Sequence, residues 1–160
     1  MNEESRPAGT TRLLVTVCNR QRSQRVDTRL LQRLAKGAVH TCLDHSGTEK
    51  PVLHDLEAVE ISLVSDKKIT GLHVRFMNVP GPTDVITFDH GEIVISVDTA
   101  LRQAREHGQE VDRELFRYIV HGLLHLNGHE DATASGSAGM WKAQEEIVAA
   151  SWPLVAASSR

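Results

Sequence analysis

One segment in the C-terminal half of the chain is expected to fold as a largely buried helix. Between Asp112 and Gly128 the apolar side chains recur every three or four residues, which is the spacing of one face of an α-helix. They are Leu115, Phe116, Ile119, Val120, Leu123, Leu124 and Leu126. Gly128 is typical of a helix end because glycine readily adopts a left-handed backbone. The rest of the chain must therefore supply a core for this helix.

Segments on the N-terminal side of this helix predict a sheet on which it can pack. Alternation of apolar and polar residues around Val15 and Val59 indicates two strands, and the runs 85–88 and 93–97 indicate two more. Helical spacing predicts further helices over about 27–42, 65–76, 98–107 and 140–150. We expect Asp98 or Thr99 to cap the third of these, and Pro153 to close the last, which follows a loop over 132–139. This order predicts a single α+β domain, with helices packed on a mixed sheet of about four strands.

The length and hydropathy of the chain predict a single domain without a membrane span. Its 160 residues suffice for one domain, which we expect over 12–152, between a disordered tail over 1–11 and a C-terminal tail over 153–160. No apolar run approaches the roughly 18 residues of a membrane span, and the polar N-terminus lacks the apolar core of a signal peptide. We therefore expect a cytoplasmic protein with no membrane partner.

Positive charge is concentrated near the N-terminus, although the formal net charge is -3. Between Arg12 and Lys36, seven basic residues accompany only one acid, Asp27, so this segment carries +6 and the remainder -9. A basic surface on an acidic protein can bind a phosphate backbone, and the planar fork of arginine suits phosphate. The alternative interpretation is a solvated helix face.

Two histidines of the apolar helix, His121 and His125, lie four residues apart. Side chains at this spacing share a helix face, with Cβ atoms about 5–6 Å apart, so both imidazoles can bind one metal ion. A reversal at Gly128 could bring a third ligand from 129–131, and three protein ligands leave zinc the open position of a catalytic site. The alternative is two unrelated histidines, but buried imidazoles need partners. Gly122 replaces the glutamate base of the HExxH motif, so a zinc protease of that type is disfavoured.

The block over 121–131, HGLLHLNGHED, resembles the signature of the YbeY family of bacterial rRNA maturation factors, H-G-x-L-H-L-x-G-[YH]-D-H. Two further blocks, TDVITF over 83–88 and GEIVIS over 91–96, resemble family blocks in the same order and spacing. Three blocks in register are more specific than HxxxH alone. The resemblance covers roughly 59–147. It implies an α+β fold, one zinc ion and endonuclease action on RNA, notably on the 3′ end of small-subunit rRNA.

Two departures from the family pattern concern the site. The third zinc ligand of the family is usually histidine, and Asp131 stands at that position. A carboxylate can bind zinc, so the resemblance implies His121, His125 and Asp131 as ligands, with His129 as the competing third ligand. The family arginine thought to face the substrate is replaced by Met77. Arg75, two positions away, is the candidate to bind substrate in its place.

The leading hypothesis is a metal-dependent hydrolase, a single-strand endoribonuclease of rRNA processing and ribosome biogenesis. Its expected partners are single-stranded RNA or rRNA and also ribosomal proteins. The sequence leaves three candidates for the general base: Glu92, Asp131 and His129. A second hypothesis is a non-catalytic RNA-binding ribosome-assembly factor with a structural metal, which a closed site with four protein ligands would favour. A third is a hydrolase of other substrates, against which the basic segment argues.

Overall fold

The strands form one mixed sheet. The computed structural model describes residues 13–158, and side chains over 13–152, so the predicted tail over 1–11 and Arg12 lie outside the described residues. Within this range the sheet has the order β1-β2-β4-β3. Neighbours are parallel except the edge strand β3, which is antiparallel to β4. The predicted α+β domain with a mixed four-stranded sheet is confirmed. The strands are β1 (Leu14–Asn19), β2 (Ala58–Val64), β3 (Val85–Phe88) and β4 (Glu92–Ser96).

Helices cover both faces of the sheet. The larger core lies between one face and helices α1, α4 and α5, and it includes Ile93 and Ile95 of β4. On the other face Ile69 of α2 packs against a smaller cluster that includes Val94. Helix α3 packs beside α4, and its Val97 and Ala100 belong to the larger core. No helix of the described chain is both long and apolar enough to span a membrane. The helices are α1 (Thr28–Leu43), α2 (Asp66–Met77), α3 (Val97–Glu106), α4 (Val111–Leu126) and α5 (Ala134–Ser158).

Helix α3 begins directly after β4, earlier than predicted. The expected caps were Asp98 or Thr99, but the hydroxyl of Ser96 accepts the backbone N–H of Thr99 at 3.1 Å. Ser96 is the last residue of β4, and its extended backbone is the conformation that an N-cap residue adopts. A residue that ends a strand can therefore also cap the next helix, so strand and helix follow without a loop.

Helix α5 differs from the prediction at both ends. The Ser/Gly/Ala segment over 132–139 was expected to be a loop, yet α5 begins at Ala134. Thr133 explains the early start, because its hydroxyl accepts the N–H of Gly136 at 3.0 Å and its carbonyl accepts that of Ser137 at 2.9 Å. Capping of this kind offsets the poor helix propensity of the segment. The helix also continues through Pro153 to residue 158, since a proline removes only one hydrogen bond of a helix that is packed elsewhere.

Helices α1 and α4 run side by side in the same direction. Near their N-termini the N–H of Asp27 donates to Asp112 Oδ1 at 3.1 Å, and near their C-termini Asn127 Nδ2 donates to the carbonyl of Cys42 at 2.7 Å. Arg25, which precedes α1, therefore lies beside Asp112 at the start of α4. From Asp112 to His125 the helix rises by about 20 Å.

Candidate metal centre and adjoining cleft

Gly122 sets how closely α4 approaches the sheet. A Cβ added at this residue would lie 2.8 Å from Cγ2 of Ile93 on β4, closer than real contacts allow. The position that carries the catalytic glutamate in HExxH therefore faces a packed sheet here. The structure gives a physical reason why a larger side chain is absent.

The chain reverses after α4, as the sequence predicted. Gly128 has a φ of 91°, and a Cβ there would lie 2.4 Å from the carbonyl oxygen of Glu49. The loop that follows α1 holds this turn, because Gly47 donates its N–H to the carbonyl of Asn127 at 3.1 Å and Glu49 donates to that of Gly128 at 2.9 Å. The reversal brings Asp131 back towards α4.

His121 and Asp131 meet at this reversal. The Nε2 of His121 lies 3.5 Å from Oδ2 of Asp131. On the other side of the ring, Nδ1 lies 3.0 Å from Oε1 of Gln144 in α5. The side-chain amide of Gln144 is held in this orientation because its Nε2 donates to Oε1 of Glu145 at 3.2 Å. Since the Gln144 oxygen can only accept, Nδ1 of His121 carries a proton, and in the neutral ring Nε2 is the nitrogen that can bind a metal.

This pair fits a metal in its chemistry and spacing. An imidazole nitrogen and a carboxylate oxygen are both zinc ligands, and two ligands of a tetrahedral zinc ion with bonds near 2.05 Å are separated by about 3.3 Å. His125 lies one turn further along α4 and is exposed, so the expectation that both imidazoles are buried is wrong. A full triad is not gathered: over the described residues, no three His, Cys, Asp or Glu side chains lie close enough to hold an ion.

His129, the competing third ligand, is engaged elsewhere. Its Nε2 donates to the carbonyl of His45 at 2.8 Å, in the loop that supports the reversal. The neighbouring carboxylate of Glu130 accepts the N–H groups of Ala132 and Thr133 at 2.8 and 3.1 Å, which leads the chain into α5. Residues 129 and 130 thus shape the turn, and Asp131 is the member of this segment that faces His121.

A cleft of about 810 Å³ opens beside His121. Its walls come from α3, α4, the start of α5 and the segment before β3. Arg102 of α3 contributes a half-exposed guanidinium, whose NH1 lies 2.7 Å from Oδ2 of Asp66. The lining residues are Pro82, Thr83, Asp84, Thr99, Arg102, Gln103, His107, Gln109, Glu114, Arg117, Tyr118, His121, Trp141 and Gln144.

A largely buried charge network lies next to Gln144, the partner of His121. The Nε of Arg117 donates to Oε1 of Glu145 at 2.7 Å, and its NH1 contacts the carboxylate of Glu114. Burial alone would lower the pKa of Arg117, but the two carboxylates outweigh it and raise the pKa. Burial, together with the nearby Glu114, also raises the pKa of Tyr118. Because Arg117 is occupied by two carboxylates, it joins α4 to α5 instead of offering its charge to a phosphate.

Other residues singled out from the sequence lie away from the cleft. Arg75 and Met77 are exposed on α2, and the Arg75 guanidinium stacks 5.2 Å from the centre of the Phe76 ring. Arg75 borders a shallow cationic hollow with Lys67 and Lys68.

Glu92 begins β4 on the face opposite Ile93, since side chains alternate along a strand. Its carboxylate pairs with His90 at 3.2 Å. Glu92 is therefore separated from His121 by the sheet.

Comparison with known proteins identifies relatives over most of the chain. A family profile described as Endoribonuclease YbeY matches residues 16–151. Each of three bacterial proteins named Endoribonuclease YbeY is similar to part of the chain. The Frankia casuarinae protein is 35% identical over 120 residues, covering 62% of this chain and 59% of that protein. The Moorella thermoacetica protein is 40% identical over 110 residues, covering 57% and 70%. The Heliobacterium modesticaldum protein is 33% identical over 142 residues, covering 74% and 80%.

The fold has a solved counterpart. The solution structure of TM1509 from Thermotoga maritima superposes with a TM-score of 0.62 at 25% identity, covering 91% of this chain and 93% of that one. The chain spans less than two thirds of the length of some relatives, namely 59% of the Frankia casuarinae protein and 66% of the Frankia alni protein.

Proposed function

Because this chain belongs to the YbeY family, we propose that it is a cytoplasmic, metal-dependent endoribonuclease that cuts single-stranded RNA. Its substrate would be rRNA, and its role the maturation of the 3′ end of small-subunit rRNA in ribosome biogenesis, in contact with ribosomal proteins. The observation that supports this most directly is the approach of His121 Nε2 to the Asp131 carboxylate, at 3.5 Å, beside an open cleft.

The metal would be held by His121, His125 and Asp131. When bound, a zinc ion would supply Lewis-acid chemistry, acidifying water and polarising a phosphoryl oxygen. Gln144 orients the His121 ring towards that position through its hydrogen bond to Nδ1. Of the candidate bases, Glu92 lies beyond the sheet and His129 is bound to a backbone carbonyl. Asp131 is needed as a ligand, so we assign no general base.

RNA would approach through the cleft. Its volume of about 810 Å³ lies within the range of roughly 300–1,000 Å³ that is common for ligand sites. Arg102 binds Asp66 but its side chain is half-exposed, whereas Arg117 is largely buried between two carboxylates. Arg102 is therefore the more accessible cation of the cleft wall. The described part of the basic segment, residues 13–36, and Arg75 with Lys67 and Lys68 lie outside the cleft. We propose that they contact the RNA backbone away from the cut.

The alternative is an RNA-binding assembly factor with a structural metal. Such a site would normally be closed by four protein ligands. The hydrogen bond from His129 to the His45 carbonyl engages the residue that would have to supply the fourth ligand. This contact favours the open site over the closed one, and hence the nuclease over the assembly factor.

The test is cleavage of an end-labelled single-stranded RNA with the sequence of a small-subunit rRNA 3′ end, with the metal content of the protein measured in parallel. We expect about one zinc ion per chain and cleavage by the wild type. His125→Ala and Asp131→Ala should lose both, whereas the exposed His40→Ala on α1 should retain both. If wild type and variants release RNA fragments at the same rate, the nuclease proposal is wrong.

A further inference from the structure

Trp141 lies in the second turn of α5 and projects into the cleft. Its side chain is 60% exposed, whereas its neighbours Met140, Ala143 and Gln144 are buried against the rest of the domain. An indole normally contributes a large buried apolar area, so leaving it in solvent forgoes much stabilisation. Trp141 therefore covers no core, and its ring is available to a molecule that enters the cleft.

The position of this ring relative to the candidate metal centre follows from α5. Trp141 and Gln144 are three residues apart, so they are neighbours on the helix surface with Cβ atoms about 5–6 Å apart. Gln144 is the residue whose Oε1 lies 3.0 Å from His121 Nδ1. The indole is thus one helical turn from the side chain that orients the histidine, and His121 and Trp141 line the same cleft.

We propose that Trp141 is the stacking platform for a nucleobase of single-stranded RNA that lies next to the cut phosphodiester. This inference rests on the proposed function and specifies which part of the substrate the cleft binds. Every base has a π-face, so one tryptophan can bind any unpaired nucleotide. The walls of the cleft combine apolar surface with polar and charged side chains, among them Asp84, Arg102 and His107, which suits a nucleotide better than a purely apolar ligand.

A paired base would be excluded by the same geometry. A base in a duplex has both faces covered by its neighbours, whereas a base in a single strand can turn one face onto the indole. Selectivity for single strands would then come in part from Trp141, independently of the metal.

The fluorescence of Trp141 gives a direct test. The chain has two tryptophans, and Trp152 is half-buried against the core, so Trp152→Phe leaves Trp141 as the reporter. Titration with a short single-stranded RNA in EDTA, which prevents turnover, should quench this fluorescence on binding. In the otherwise unchanged protein, Trp141→Ala should weaken binding about ten- to one-hundred-fold, while Trp141→Phe retains most of it.

An abasic ribose-phosphate oligomer of the same length is the matched probe. It should bind weakly and equally to wild type and Trp141→Ala, because it has no base to stack. Equal affinity of wild type and Trp141→Ala for the intact RNA would overturn the stacking proposal, even if the protein cuts RNA. Conversely, base-dependent quenching in a protein that never cuts RNA would support the stacking site and refute the nuclease proposal alone.

Discussion

Gln144 holds Nδ1 of His121 at 3.0 Å and thereby determines which ring nitrogen is left for a metal. Its amide cannot turn over without placing its NH2 group against the imidazole N–H and its oxygen against the Glu145 carboxylate. Glu145 is itself held by Arg117, whose Nε donates to it at 2.7 Å. A metal-binding histidine usually has its second nitrogen fixed by such a partner. The partner here comes from α5, twenty-three residues along the chain.

Replacement of Gln144 by methionine should weaken zinc binding about ten- to one-hundred-fold, the usual effect of losing an outer partner of a ligand. Methionine keeps the approximate volume but offers no amide oxygen, so the Nδ1–H tautomer of His121 is no longer favoured. Competition with a chromophoric chelator measures the affinity, and ¹⁵N chemical shifts of the metal-free protein report the tautomer. Gln103→Met, in the same cleft, is the control and should alter neither. An unchanged tautomer in Gln144→Met would refute the orienting role.

Position 131 should accept either of two ligand types. Asp131→His restores the usual family residue and should retain zinc binding, because imidazole and carboxylate both bind zinc at about 2.0–2.2 Å. Asp131→Asn keeps the shape but removes the negative charge, and should lose at least tenfold in zinc affinity. Metal content after dialysis against a defined zinc buffer distinguishes the variants. Equal zinc affinity in the asparagine variant and wild type would exclude Asp131 as a ligand and return attention to His129.

The elements of the fold were predictable because each depends on local periodicity. The alternation in β2 and the helical spacing in α4 reflect which side chains face the core, and both elements form as expected. The predicted first residues of α3 and α5 were wrong, because in each case a single side chain decides where the helix begins. The hydroxyl of Ser96 caps α3 from within a strand, and Thr133 draws a Gly/Ser/Ala segment into α5. Periodicity does not report such hydrogen bonds.

The candidate site was predictable only along one segment. His121, His125 and Asp131 lie within eleven residues, and the helix with its turn at Gly128 is enough to bring Asp131 to His121. Gln144 and Trp141 reach the same place through packing of α5 on α4, which no spacing in the sequence specifies. The prediction that the His125 side chain is buried was wrong for a related reason. The helix as a whole is buried, but His125 lies on the strip of α4 that the other elements leave open.

Asp66 should make stability depend on pH in the acid range. Burial raises the pKa of this carboxyl, but hydrogen bonds from Arg102, Ser96 and Thr99 outweigh it, so its pKa lies below the ordinary 3.8. A lowered folded pKa stabilises the protein above that ordinary value, and the contribution is lost as the pH falls through the folded pKa. Asp66→Asn should therefore lower the free energy of unfolding at pH 7 by about 1–2 kcal/mol.

Urea unfolding of Asp66→Asn and wild type at several pH values tests this. The difference between them should shrink as the pH falls below about 4, where the carboxyl is protonated first in the unfolded chain and, at lower pH, in the folded protein. Asp89→Asn, on the exposed turn before β4, is the control and should follow the wild type at each pH. A difference that stays constant down to pH 2 would show that the charge of Asp66 contributes nothing.

Gly122 should tolerate no side chain, because α4 contacts β4 through it. An alanine Cβ would lie 2.8 Å from Cγ2 and 2.9 Å from Cδ1 of Ile93, which is fully buried and has no space to move into. Gly122→Ala should therefore lower the free energy of unfolding by about 1–3 kcal/mol, despite the better helix propensity of alanine. Gly37→Ala in α1 is the matched control, since its added Cβ would meet no atom within 4 Å. That control should stabilise the protein by about 0.5–1 kcal/mol. Urea denaturation of both variants measures the contrast. If Gly122→Ala gained stability as Gly37→Ala does, close packing would not explain why this position lacks the glutamate of the zinc proteases.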